Sequence, residues 1–242
     1  DECVINGTKM WVTNGIRSSL VMLLARTPDD RITCFLVEKE PGEKFEGITA
    51  SKKISKLGYR GLETVEMSYV DHRVPDTNVL GGEEGLGNGR KYALSALELG
   101  RINVASRAVG VAQAAFDAAM SYAQERETFG QPIFKHQAIQ FKLAEMATKL
   151  QAARLMTYDA AARADAGERV DMEAGMAKLF ASEAAYEIAT DALRIHGGNG
   201  YTTEYPVERY FRDTPLMIIG EGTSEIQKMV IARKLLDRYS VE

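Results

Sequence analysis

The chain has 242 residues, 45% of them hydrophobic, enough for a sizeable core in one large domain or two small ones. Its 30 basic and 34 acidic residues give a formal net charge of -4 with no Lys/Arg cluster, which argues against nucleic acid as the main partner. No apolar run is long enough to span a bilayer, and no basic segment precedes an apolar one at the start. Cys3, Cys34, His72, His136 and His196 lack the spacing of a metal site, so the sequence reads as a soluble globular protein with no export signal and no metal.

Up to about residue 80, four β-rich runs (Lys9–Thr13, Leu20–Ala25, Ile32–Glu38 and Thr64–Val70) alternate with clusters of Gly, Pro, Asn and Asp. That alternation predicts an antiparallel β unit. The glycine-rich stretch 81–89 lacks the spacing and the βαβ context of a dinucleotide loop and is read as a flexible entry into a helix. Apolar residues then recur at intervals of three and four over Arg90–Arg126 (Leu94, Leu97, Ile102, Val109, Phe116, Met120), and the pattern repeats over Gln137–Ala166, Met172–Ile195 and Ser224–Tyr239. Four long helices joined by short connections predict an up-and-down four-helix bundle, so the fold class is α+β and mainly α.

Three segments carry possible chemistry. Glu221 follows the apolar run Leu216–Gly220 and stands just ahead of Gly222-Thr223-Ser224-Glu225, which opens the last helix. Burial would disfavour its anion and the helix N-terminus would favour it, a balance suited to a general base. A solvated turn glutamate is the simpler reading of such a segment in isolation. Arg126-Glu127-Thr128-Phe129-Gly130 sets a cation, a hydroxyl and an aromatic ring in a tight turn, able to meet phosphate oxygens and a heterocycle. A capped helix end with a core Phe would leave the same trace. His196-Gly197-Gly198-Asn199-Gly200 lets a ligand approach the backbone closely but equally ends a helix.

Nine motifs occur in one order along the whole chain. They are Lys9–Gly15 (KMWVTNG), Lys56–Gly61 (KLGYRG), Val74-Pro75, Glu98–Arg101 (ELGR), Arg126–Gly130 (RETFG), His136–Ala138 (HQA), Ile195–Gly200 (IHGGNG), Tyr205–Arg209 (YPVER) and Glu221–Gln227 (EGTSEIQ). In this order the chain resembles the acyl-CoA dehydrogenase flavoproteins. The resemblance implies a partial antiparallel β-barrel domain over 1–83, the remainder of the family's middle domain, and the C-terminal four-helix bundle over 84–242. It implies FAD as cofactor, an acyl-CoA as substrate and electron-transferring flavoprotein as electron acceptor. Glu221 then matches the base that removes the α-proton of the thioester while the β-hydrogen leaves as hydride to the flavin. The thioester carbonyl is polarised by the base's own N–H and a ribityl hydroxyl.

By the same resemblance Trp11 and Thr13 contact the isoalloxazine. Arg126, Thr128 and Phe129, with His136 and Gln137 beside them, grip the pyrophosphate and adenine side, typically on a neighbouring subunit's cofactor. Arg194, Gly197 and Gly198 form another cofactor turn, and Thr223 and Glu225 the last. Glu98, Arg101, Gly220 and Gly222 match positions near the substrate. Shared sites imply a homo-oligomer built as a dimer of dimers.

Three departures stand out. Arg194 replaces a common Gln before the Gly-Gly turn. Gly220 replaces a common Tyr before the base, which predicts a pocket for a bulkier, branched or ring-bearing acyl group. The third is that the sequence begins at Asp1, within the family's middle domain, where relatives carry a helical domain and the first β strands, so the chain is expected to be a fragment, one of two separate chains or a truncated relative. Residues 1–83 are therefore expected to be poorly ordered, swapped or completed by another chain, and 84–242 to fold unaided. The base position that some relatives use, just before the helical Arg, is Gly100 here, which leaves Glu221 as the only base of the family's type. The alternatives are an acyl-CoA oxidase or a non-catalytic partner or truncated subunit sharing a flavin site. The expected location is the bacterial cytosol, or the mitochondrial matrix in a eukaryote.

Overall fold

The structure, a computed structural model, describes residues 2–240. It divides into two compact units, 1–96 and 97–242.

The first unit holds six strands: β1 (Glu2–Thr13), β2 (Leu20–Arg26), β3 (Ile32–Glu38), β4 (Lys44–Phe45), β5 (Ile48–Ala50) and β6 (Thr64–Pro75). One antiparallel sheet runs in the order β1-β6-β5-β4, and β2 and β3 form a separate hairpin. Alternation fixes which face is buried, since Val65, Met67 and Tyr69 of β6 all point into the core. They meet Ile5, Leu23, Phe35, Val37, Ile48 and Val74 in a single apolar cluster. Among the described residues β1 pairs only with β6 and β2 only with β3. β1 and β6 are both longer than the runs seen in the sequence, because bulges carry β1 through Asn6-Gly7 and again through Met10-Trp11. At the first bulge Asn6 and Asp71 tie the strands together, the Asn6 amide donating to the Asp71 carboxylate at 3.1 Å and accepting from the Asp71 N–H at 2.8 Å.

The helices are α1 (Gly89–Glu125), α2 (Gln137–Asp165), α3 (Asp171–His196), α4 (Val207–Ile219) and α5 (Ser224–Arg238). Four are the long helices read from the sequence, and α4 is additional. In the second unit α3 packs against α2, α4 and α5. Its inner face is built of alanines, with Ala174, Ala177, Ala181, Ala185, Ala189 and Ala192 buried. Small side chains let helix axes approach closely and lose no rotamer freedom on burial. A similar seam runs down α1 through Ala105, Ala108, Ala112, Ala115, Ala119 and Ala123.

α4 contains Pro215, a residue that removes one helical N–H and usually ends a helix. The carbonyl it would have satisfied is that of Phe211, and the Thr214 hydroxyl donates to that oxygen at 3.2 Å instead. Among the described residues no helix is long and apolar enough to cross a membrane, and no His, Cys, Asp and Glu cluster could hold a metal ion.

Candidate active site

Glu221 sits in the four-residue turn, Gly220 to Thr223, that joins α4 to α5. Its φ is +55°, a left-handed conformation uncommon for a side chain of this kind, and Gly222 follows at +90°. At the start of α5 the Thr223 hydroxyl caps the helix by accepting from the Ile226 N–H at 3.4 Å. Glu225, in the first turn, is held below the ordinary carboxylate range by its backbone N–H and by the Thr223 hydroxyl.

The turn is gripped from two sides. From α3, the Lys178 Nζ donates to the carbonyls of Ile218 (3.0 Å) and Gly222 (2.7 Å), and the Ser182 hydroxyl donates to Met217 (2.9 Å). From α5, the Gln227 amide donates to the carbonyls of Glu221 (3.1 Å) and Gly222 (3.0 Å). The Ser224 hydroxyl donates to the Glu183 carboxylate at 2.6 Å. Lys178 is wholly buried, and burial lowers its pKa from 10.5 to about 8 against the pull of Glu183, Glu225 and Glu221.

The Glu221 carboxylate lies against the backbone of α1. A Cβ built on Gly100 would stand 2.7 Å from Glu221 Oε2 and 3.1 Å from its Cδ. The next residue, Arg101, is buried with its Nε unpartnered. A half-buried carboxylate thus faces a bare stretch of helix beside a buried cation.

Glu98 is not part of this cluster. Its carboxylate accepts the Val170 N–H at 2.6 Å, closing the start of α3. Arg194 is exposed and pairs with Asp191 at 3.4 Å.

A second cluster gathers near the C-terminal end of α1. β7 (Glu127–Thr128) and β8 (Gln131–Pro132) form a minimal hairpin whose two linking residues, Phe129 and Gly130, have φ of +52° and +76°. Both positive values define a tight turn that follows the strand twist, and it thrusts the Phe129 ring outward with 97% of the residue exposed. The Thr128 hydroxyl meets His136 Nε2 at 3.1 Å, the Gln131 amide meets His136 Nδ1 at 3.3 Å, and Phe129 stands edge-on to His136. Gln137 opens α2 beside them, exposed.

The glycine turn after α3 joins this cluster through Tyr122. His196 stacks on the Tyr122 ring with centroids 4.2 Å apart, and the Asn199 amide donates to the Tyr122 hydroxyl at 2.9 Å. Gly197 and Gly198 are open, with nothing within 4 Å of a Cβ at either. Gly100 and Tyr122 are 22 residues apart on one helix, so the two clusters lie about 33 Å apart along α1. In the first unit Trp11 occupies the second β1 bulge at φ +63° and is 65% exposed, with Thr13 exposed two residues on.

Residues 87–236 match the acyl-CoA dehydrogenase C-terminal domain, and residues 1–72 the middle domain of the same family. The chain belongs to the acyl-CoA dehydrogenase family. It is 46% identical over 243 aligned residues to the mitochondrial short-chain specific acyl-CoA dehydrogenase of Rattus norvegicus, covering 99% of this chain and 57% of that protein. Among solved structures, butyryl-CoA dehydrogenase from Megasphaera elsdenii superposes with a TM-score of 0.90 at 39% identity, over 97% of this chain and 61% of the other. A chain from a structure described as the electron transferring flavoprotein of Acidaminococcus fermentans gives 0.92 at 41% identity, over 98% and 61%. The acyl-CoA dehydrogenase portion seen here thus spans about three fifths of the length of these relatives.

Sequence reasoning missed Lys178 and Ser182, and gave Gln227 only as the end of the Glu221–Gln227 motif, with no role. A lone Lys on an alanine-rich helix reads as a surface residue, and no spacing rule links it to a turn more than 40 positions later.

Proposed function

We propose that the protein to which this chain belongs is an FAD-dependent acyl-CoA dehydrogenase in which Glu221 removes the α-proton of an acyl-CoA thioester. The observation that carries this reading is the Glu221 carboxylate, set at φ +55° in a clamped turn and directed at the bare backbone of Gly100. A base must be held where the proton will be, and a strained turn keeps it there, with its Glu221 and Gly222 carbonyls and those of Met217 and Ile218 at the end of α4 all engaged. The Glu221 N–H is the family's donor to the thioester oxygen, and Arg101 supplies positive charge beside the carboxylate.

The exposed residues suit a bound dinucleotide. Trp11 presents an aromatic plane, Phe129 another, Arg126 a cation, and Gly197 and Gly198 bare backbone. FAD, when bound, supplies the acceptor for the β-hydrogen and its electron pair. Thr13, Thr128, His136, Gln137, Thr223 and Glu225 are assigned to its polar groups, and Arg194 to a phosphate when released from Asp191. Because the Glu221 cluster and the Phe129 cluster are about 33 Å apart, each cofactor is assigned to two copies of the chain, which makes the protein a homo-oligomer. Electrons then pass to electron-transferring flavoprotein, and the compartment is the bacterial cytosol or the mitochondrial matrix.

Visible absorbance under anaerobic conditions tests the reading. The FAD-loaded protein should show a flavin band that bleaches when acyl-CoA is added, and Glu221→Gln should slow bleaching by about 10²-fold or more with the band retained. A flavin band that acyl-CoA leaves unchanged in the wild type would refute it.

A further inference from the structure

Lysine is costly to bury, and burial without a partner normally drives it to the surface or to neutrality. Lys178 is 0% exposed among the alanines of α3, a place where methionine would fill the same space without a charge. Its side-chain nitrogen reaches two acceptors, the carbonyls of Ile218 and Gly222, which flank Glu221 on its N-terminal and C-terminal sides. Bonds to both sides fix the span of the turn, and a turn of fixed span keeps the left-handed φ of Glu221.

We propose that Lys178 is a positioning residue that holds the Glu221 turn in its left-handed form by joining the Ile218 and Gly222 carbonyls, and so directs the carboxylate toward Gly100. Ser182 and Gln227 grip neighbouring carbonyls, but neither bridges the two sides of Glu221. The charged groups facing the amine are Glu183 of α3, Glu225 of α5, Arg101 of α1 and Glu221 itself. With its pKa near 8 the group alternates between ammonium and amine close to neutrality, and either form keeps enough N–H donors for both carbonyls. The clamp is therefore insensitive to its own titration.

This inference rests on Glu221 being the base, but its first two tests need neither FAD nor acyl-CoA. In the wild-type chain, a nitrogen–proton NMR correlation for the Lys178 side chain should resist solvent exchange, unlike those of surface lysines; exchange at the surface rate overturns the proposal. In Lys178→Met, amide hydrogen exchange over 219–224 should speed up about tenfold or more, while α2 and the rest of α3 keep wild-type protection. Unchanged exchange in 219–224, or loss of protection throughout α3 to α5, overturns it. In the FAD-loaded protein the same variant should lower kcat on acyl-CoA by about ten- to a hundredfold with KM within about threefold. A wild-type protein that holds flavin without oxidising acyl-CoA, yet protects residues 219–224 through Lys178, refutes the dehydrogenase reading and leaves the clamp standing.

Discussion

Replacing Gly100 with alanine puts one methyl group where the Glu221 carboxylate already stands. The new Cβ would lie 2.7 Å from Oε2, and an ordinary contact begins near 3.4 Å, so the carboxylate must retreat by about 0.7 Å. Displacing a catalytic group by about 1 Å costs on the order of 10²-fold in rate, so G100A should lower kcat by about ten- to a hundredfold. Stability should move little. Alanine favours the helix over glycine by about 0.5–1 kcal/mol, and the clash falls on the free end of a side chain, where it relaxes easily. A melting temperature within about 3 °C of wild type is expected. The assay pairs acyl-CoA-dependent dye reduction by the FAD-loaded protein with a thermal melt. A kcat within about twofold of wild type would refute the placement of the carboxylate against α1.

His196 is buried against Tyr122, and burial lowers its pKa from the ordinary value of 6.5. The unfolded chain therefore takes up this proton first, so stability is lost as pH falls below about 6.5 toward the folded value. Denaturant melts of His196→Phe should show a shallower loss than wild type over that range, and parallel curves would contradict the assignment. A panel of acyl-CoAs should show preference for a bulkier, branched or ring-bearing chain, since Gly220 leaves the position beside Glu221 without a side chain; exclusive use of short straight chains would overturn this. Limited proteolysis of the isolated chain should trim it toward 84–242, because β1 and β2 each present an edge with no partner strand among the described residues. A uniformly resistant monomer would count against that expectation.

Much of the architecture was legible because its signals are local. The runs that became β2 and β3 were bounded by turn residues, and the four long helices announced themselves by periodicity. The N-terminal half of β1 was hidden by Asn6-Gly7, which reads as a turn and is in fact a bulge tied to Asp71. α4 was hidden by Pro215, whose damage the Thr214 hydroxyl repairs in a way no periodicity count registers. Glu221 was found through a motif, but its approach to Gly100 and its grip by Lys178 are contacts between distant positions, and only the folded chain reveals them. Glu98, which the resemblance sets near the substrate, has a structural partner that no spacing announces, the Val170 N–H at the start of α3.

The alanine seam of α1 has a cost that its close packing conceals. Six alanines at 0–1% exposure offer almost no relief, so the seam itself does little to resist sliding of α1. What prevents sliding are a few polar latches: Glu98 on the Val170 N–H, Gln113 accepting from Arg154 at 2.5 Å, and Tyr122 accepting from Asn199. The bare backbone at Gly100 faces Glu221 only while these latches hold. The alignment of the candidate site thus leans on three side chains spread along the helix, none of which is bonded to the Glu221 carboxylate.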